Sequence, residues 1–153
     1  MGEITTLEPI LRVHPFLKDM PQPFMDLLAG CAMNERFEPG QVIAKAGDSA
    51  DKFYIIREGR VAIEVIPPGS GGIIVETLAD GDVLGWSWMF EPHQWILDAI
   101  PLEPVRAISL DGACLRKKME SDHDFGYEML NRFTKLMLGR IKALRKQLIE
   151  NVR

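Results

Sequence analysis

Glu38-Pro39-Gly40-Gln41-Val42-Ile43 opens the stretch whose reading decides the fold, and Gly81-Asp82-Val83-Leu84-Gly85-Trp86-Ser87-Trp88-Met89-Phe90 closes it. Between these ends, short apolar runs rich in Val, Ile, Phe and Tyr are cut by Gly47, Gly59, Gly71 and Gly72. Runs of that length bounded by glycine indicate antiparallel strands in a sandwich or roll. Phe53 and Ile55 alternate with Tyr54 and Ile56, Glu58-Gly59 reads as a tight turn, and Val61, Ile63 and Val65 then alternate with Ala62 and Glu64. The strand-like texture extends from 33 to 110. Residues 67–72 (Pro-Pro-Gly-Ser-Gly-Gly) read as one flexible loop whose length the core does not need. The stretch ends in a glycine-led loop that carries tryptophans.

Upstream, residues 6–30 suggest two short helices. Leu7, Ile10 and Leu11 share a face, Pro15 interrupts, and a second helix starts at Pro21 with proline in its first turn. Downstream, proline vanishes after Pro104 and residues 111–120 predict a short helix. Ser121 with Asp124 resembles a capping box that opens a helix reaching about residue 150. Along it Leu130, Thr134, Met137, Ile141, Leu144 and Leu148 recur at steps of four and three, a coiled-coil-like seam, while Phe133 and Leu136 form a second apolar face. Two apolar faces need two partners. One is the chain's own sheet, and the other is most economically the same helix of a second copy; burial of both faces within one chain is the alternative. The expected fold is mainly β with flanking helices: a β-roll, or jelly roll, with N-terminal helices and a long C-terminal helix. Residues 1–120 would form the roll and its short helices, and 121–153 the long dimerisation helix of the same domain.

A chain of 153 residues with 46% apolar and 26% charged residues has the make-up of an ordinary globular domain. Its apolar runs are too short to span a bilayer, and Met1–Thr6 lacks a signal segment, so a cytoplasmic protein that does not engage membranes is expected. Cys31 and Cys114 stand far apart without metal spacing and read as reduced thiols filling the core. Residues 1–114 hold 8 Lys+Arg against 17 Asp+Glu, whereas 115–153 hold 10 against 5. The basic tail has its cations at helical spacing among apolar residues, which describes a solvated helix face better than a nucleic-acid surface. His14, His93 and His123 are scattered, so neither a metal site nor a cofactor is expected. With no nucleophile elbow, phosphate loop or paired carboxylates in view, no catalytic residue is assigned and enzyme activity is not expected.

With these residues in place, the chain resembles the cyclic-nucleotide-binding domain of the bacterial catabolite activator and Crp/Fnr-type regulators. The resemblance is carried by residues 37–43 (Phe-Glu-Pro-Gly-Gln-Val-Ile), by the run from Ala46-Gly47-Asp48 to Gly59-Arg60-Val61, by residues 81–85 and by the long closing helix. It implies an eight-stranded roll, a ligand pocket between roll and long helix, and dimerisation through that helix. It also implies a short helix after Gly85 whose backbone N–H groups meet the cyclic phosphate, a Glu for the ribose and an Arg for the phosphate. Such a set is chemically sensible, because unpaired helix donors and a guanidinium both favour an anion. Here Gly85 is kept, but Trp86 stands at the Glu position, and the Arg–Ser pair falls at His93-Gln94 or Gln94-Trp95.

The resemblance matches Leu144 and Arg145 to the positions that meet the base. Candidate ligand-binding residues are therefore Gly85, Trp86, Ser87, Trp88, Gln94, Trp95, Leu144 and Arg145. Losing a charge-assisted phosphate contact forfeits about 1.5–3 kcal/mol, and the ribose contact adds a comparable loss. Together these amount to roughly a hundred- to a thousandfold in affinity. The expectation is a homodimeric regulatory sensor module in which standard cAMP or cGMP binding is weak or absent. One alternative is a genuine cyclic-nucleotide-binding protein that uses Arg145 and the 86–88 amides; another is a structural partner-binding subunit without ligand. Trp86, Trp88 and Trp95 could form an aromatic box for a flat or apolar ligand, as in chlorophenol-sensing relatives, or could fill the vacated pocket. Partners expected are a second copy, a small-molecule ligand or a partner protein, with no nucleic acid bound by this chain alone.

Overall fold

The computed structural model describes residues 7–152; the Met1–Thr6 stretch, read above for the absence of a signal segment, lies outside the described residues. Seven strands form among them: β1 (Ala32–Phe37), β2 (Lys52–Glu58), β3 (Val61–Val65), β4 (Ile73–Leu78), β5 (Val83–Leu84), β6 (Asp98–Pro101) and β7 (Val105–Asp111). They make two antiparallel sheets, ordered β1-β7-β2-β5 and β4-β3-β6. The roll thus has seven strands among the described residues rather than eight, and residues 43–49 join it only through isolated bridges, Ala44 to Ala99 and Ser49 to Gln94. The cause is local: a turn closed by Asp48 N–H donating to the Lys45 carbonyl, with Gly47 at φ +93°, breaks the extended run.

β2 is the pivot of the fold. Tyr54 and Ile56 point into the roll, where they pack with Val61, Leu84, Trp95 and Ala107. Phe53 and Ile55 point the other way and are equally buried, Phe53 lying edge-on to Phe16. A strand covered on both faces reads as a continuous apolar run, as residues 53–56 do. The turn into β3 needs a glycine. Gly59 sits at φ +112°, and a Cβ there would lie 2.6 Å from the Pro104 carbonyl oxygen.

Before the roll come α1 (Glu8–Val13), a 3-10 turn (Pro15–Leu17) and α2 (Gln22–Ala29), close to the expected pair of short helices. His14 ties this region to β2. Its Nδ1 accepts from the Phe16 N–H at 3.2 Å, so Nε2 carries the proton and donates to the Ile56 carbonyl at 3.1 Å. Burial pushes its pKa below the usual 6.5, outweighing the opposite pull of the Ile56 carbonyl and of Asp82. The unfolded chain therefore binds the proton first. The stability His14 contributes is complete above pH 6.5 and is lost as pH falls through the folded-state value. Urea unfolding at pH 7.5 and pH 5.5 should show wild-type protein weakening more on acidification than His14→Gln, whereas equal losses would contradict this role.

One expectation is overturned. Cys31 and Cys114 are not thiols but a disulfide, with Cα atoms 5.9 Å apart. Cys31 lies in the turn leading from α2 into β1, and Cys114 in the first turn of α3 (Gly112–Ser121). The fold brings these turns together: the Asp111 N–H donates to the Cys31 carbonyl at 3.0 Å, while the Asp111 carboxylate accepts from the Cys114 N–H at 2.9 Å, capping α3.

The chain divides into two compact units, Met1–Lys117 and Lys118–Arg153. In the second, α4 (His123–Asn151) carries the long apolar pattern. Its cap is Asp122, whose Oδ1 accepts from the Phe125 N–H at 3.1 Å, and not Ser121, which is still within α3. Phe125, Met129 and Phe133 are buried, and Met137 is half-buried. Leu130, Thr134, Ile141, Leu144 and Leu148 are exposed, Leu148 to 68%. Among the described residues no helix is long and apolar enough to cross a membrane.

Candidate functional site

The segment 81–95 is fastened at both ends. At its start, the Gly81 N–H donates to the Ile56 carbonyl at 3.0 Å and the Asp82 carbonyl accepts from the Ile56 N–H at 2.9 Å. The Asp82 carboxylate also accepts from the Ala79 N–H at 2.8 Å and closes the turn before β5. At its end, the His93 carbonyl accepts from the Ala50 N–H, and the Trp95 N–H donates to the Asp48 carbonyl. The Trp95 carbonyl in turn accepts from the Gly47 N–H. Within this strap Gln94 is exposed and Trp95 is the residue that enters the roll.

Between these anchors, Gly85 leads into a single 3-10 turn at Ser87–Met89, shorter than the helix the resemblance implies. Gly85 has φ +100°, and a Cβ on it would stand 2.5 Å from Trp95 Cη2 and 2.7 Å from Cζ3. The six-membered ring of Trp95 thus lies directly on the glycine. The indole also stacks on Tyr54, with ring centres 6.5 Å apart and planes inclined by 23°. Trp95 is 6% exposed and belongs to the roll's hydrophobic core.

Trp88 takes a different course. It is fully buried and stacks on Phe53 at 5.2 Å, on the opposite face of β2 from Tyr54. Its carbonyl accepts from the Arg116 guanidinium. The indoles of Trp88 and Trp95 are therefore separated by a strand, and no single aromatic box holds all three tryptophans. Trp86 and Ser87 are half-buried beside them. Leu144 and Arg145 are exposed on α4 in the second unit.

A cleft of about 300 Å³ opens beside the strap, lined by Lys45, Asp48, Asp51, Lys52, Tyr54 and Trp95 among others. Lys52 is held by Glu35 at 2.9 Å. Burial, helped by Glu35 and Asp51, pushes the Tyr54 hydroxyl up to about 12, so it stays protonated and can donate there. The sequence carries no signal for this cleft. Its charged residues were legible, but nothing in the pattern showed that the 42–52 turn folds back beside Trp95. Among the described residues, no group of His, Cys, Asp and Glu is arranged to hold a metal ion.

The cyclic nucleotide-binding domain family matches residues 34–122. No curated protein matches the chain. Among solved structures, a cyclic nucleotide-binding domain from Methylobacillus flagellatus KT superposes with a TM-score of 0.84 at 13% identity, covering 98% of this chain and 88% of that one. The sensor domain of the transcriptional regulator DNR from Pseudomonas aeruginosa gives 0.69 at 14% identity, covering 88% and 91%. The Thermus thermophilus catabolite activator protein gives 0.68 at 15% identity, covering 89% and 63%. These likenesses show a common fold. With more than half of its length matched and its roll, glycine turns and closing helix built in this way, the chain belongs to the cyclic nucleotide-binding domain family.

Proposed function

We propose that this regulatory module has exchanged its anion clamp for aromatic packing, so that cAMP and cGMP bind weakly or not at all. The observation that carries this reading is the Trp95 ring seated on Gly85, where the resemblance puts the cyclic phosphate. A ligand entering there would have to displace an indole stacked on Tyr54 and buried in the core. The cation that would offset such a cost is missing, since the strap offers His93, Gln94 and Trp95 where an arginine is expected. The module acts through binding and conformation, and no catalytic step is proposed for it. Calorimetric titration with cyclic nucleotide tests this half of the reading.

The other half is assembly. Leu130, Ile141, Leu144 and Leu148 present an exposed apolar seam on α4, and a second copy of the same helix is its natural cover. A signal would then pass as a change in α4, a two-state element that a ligand or partner can bias. Analytical ultracentrifugation should find wild-type protein dimeric and the Ile141→Asp/Leu148→Asp variant monomeric at unchanged secondary structure. A wild-type monomer at all concentrations would end this half of the proposal and leave the other standing.

A further inference from the structure

Three of the eight cations in the acid-rich segment 1–114 meet at one place on the outer face of the four-stranded sheet. Arg36 and Arg106 are direct partners in the β1–β7 ladder. Arg57 is the extra residue of a bulge in β2, between Ile56 and Glu58. With Asn34 they line a hollow of about 310 Å³. Like charges placed opposite each other in a ladder are destabilising, and a bulge re-aims the side chain it carries. Both features concentrate positive charge where the surrounding sequence is acidic.

The three guanidiniums are underused. Arg36 Nε donates to Glu38 at 2.8 Å, Arg106 Nε lies 3.3 Å from the Glu58 carboxylate as an ion pair, and Arg57 Nη1 donates to the Asn34 side-chain oxygen at 3.5 Å. Among the described residues they make no other polar contact, so Arg36 and Arg106 each keep both terminal nitrogens open. Glu35 lines the hollow too, but its carboxylate is engaged by Lys52. Because the strands run in the order β1-β7-β2, the cations lie on neighbouring strands and spread over roughly 10 Å. That is wider than one phosphate. It suits successive acidic side chains of a helix, whose Cβ atoms stand about 5–6 Å apart at i,i+3 and i,i+4 positions.

We propose that this hollow docks an acid-rich segment of a partner protein, whose Asp or Glu carboxylates each take one arginine fork. The surface is independent of the roll's interior, so the proposal does not depend on what the pocket binds. The probe is a fluorescein-labelled helical peptide with glutamate at every fourth position, titrated into the full chain and followed by anisotropy. Saturable binding that weakens with salt is expected, together with movement of the Arg36, Arg57 and Arg106 Nε–H signals in NMR spectra. Arg57→Gln/Arg106→Gln should lose at least about tenfold in affinity, because two charge-assisted forks are removed. Lys142→Gln/Lys146→Gln on basic α4 should bind as wild type. Arg36→Gln serves as a milder arm should the double variant melt early. Absence of binding, binding kept by the arginine variants, or binding lost with the α4 variant would overturn the proposal. So would a DNA duplex moving the same three signals as strongly as the peptide, which would mark a generic polyanion surface.

Discussion

Reducing the Cys31–Cys114 bridge is expected to cost the fold about 2–5 kcal/mol, the usual range for removing a native disulfide. The bridge closes a loop with a sequence separation of 83 residues. In the chain-entropy account, a loop of that size takes between 4 and 5 kcal/mol, approximately, from the unfolded state. At roughly 2–4 °C per kcal/mol for a chain of this size, the melting midpoint should fall by about 10 °C. The effect should concentrate where the bridge acts. Cys114 holds the first turn of α3 against the turn entering β1, and losing the tether leaves the Asp111 N–H to Cys31 carbonyl bond and the neighbouring Ala32–Leu110 rung to hold them together. Calorimetric melts of wild-type protein with and without a phosphine reductant, and of Cys114→Ser, should agree with one another in the loss. With no other cysteine in the chain, an unchanged midpoint on reduction would mean that the bridge contributes nothing to stability.

Trp95→Ala is the second large effect expected. Truncating a fully packed aromatic residue costs about 3–5 kcal/mol, part of it from the cavity left behind. Here the cavity would open over Gly85 and beneath Tyr54, inside the roll. A ligand that binds only the folded state restores stability by mass action. Free indole should therefore raise the melting midpoint of Trp95→Ala while leaving wild type unmoved. Trp88→Ala should be destabilised to a similar degree, but its cavity would open beside Phe53, on the far face of β2. Rescue of wild type by indole would show an open aromatic site already present, contrary to the packing described.

How much was legible follows from which interactions are local. Strand alternation and glycine turns are short-range, so the sheet region, the β2 run and the turn at Gly59 could be read directly. The sequence pattern points to Ser121 as the cap of α4, one residue before Asp122, which makes the capping bond. Ser121, Asp122 and Asp124 can all cap, and the choice depends on where α3 stops. The disulfide could not be read, because its cysteines lie 83 residues apart and only the tertiary fold brings the turn before β1 to the head of α3. His14 was likewise invisible. Its two hydrogen bonds are a local one to Phe16 and a distant one to Ile56, and only the distant one makes it structural. The tryptophans show the limit most clearly. They cluster in sequence, yet Trp88 and Trp95 end on opposite sides of one strand because successive residues of β2, Phe53 and Tyr54, receive them. The Arg36–Arg106 pairing is also a matter of register between β1 and β7, which no reading of either strand alone supplies.

In the function proposed above, the Trp95 indole takes the seat of the phosphate in a nucleotide-receptor fold. Isothermal titration of wild-type protein with cAMP decides whether that seat is closed. No saturable heat is expected at micromolar nucleotide, in line with a loss of roughly two to three or more powers of ten in affinity. A stoichiometric micromolar isotherm would contradict it and would return the roll to the ordinary work of its family.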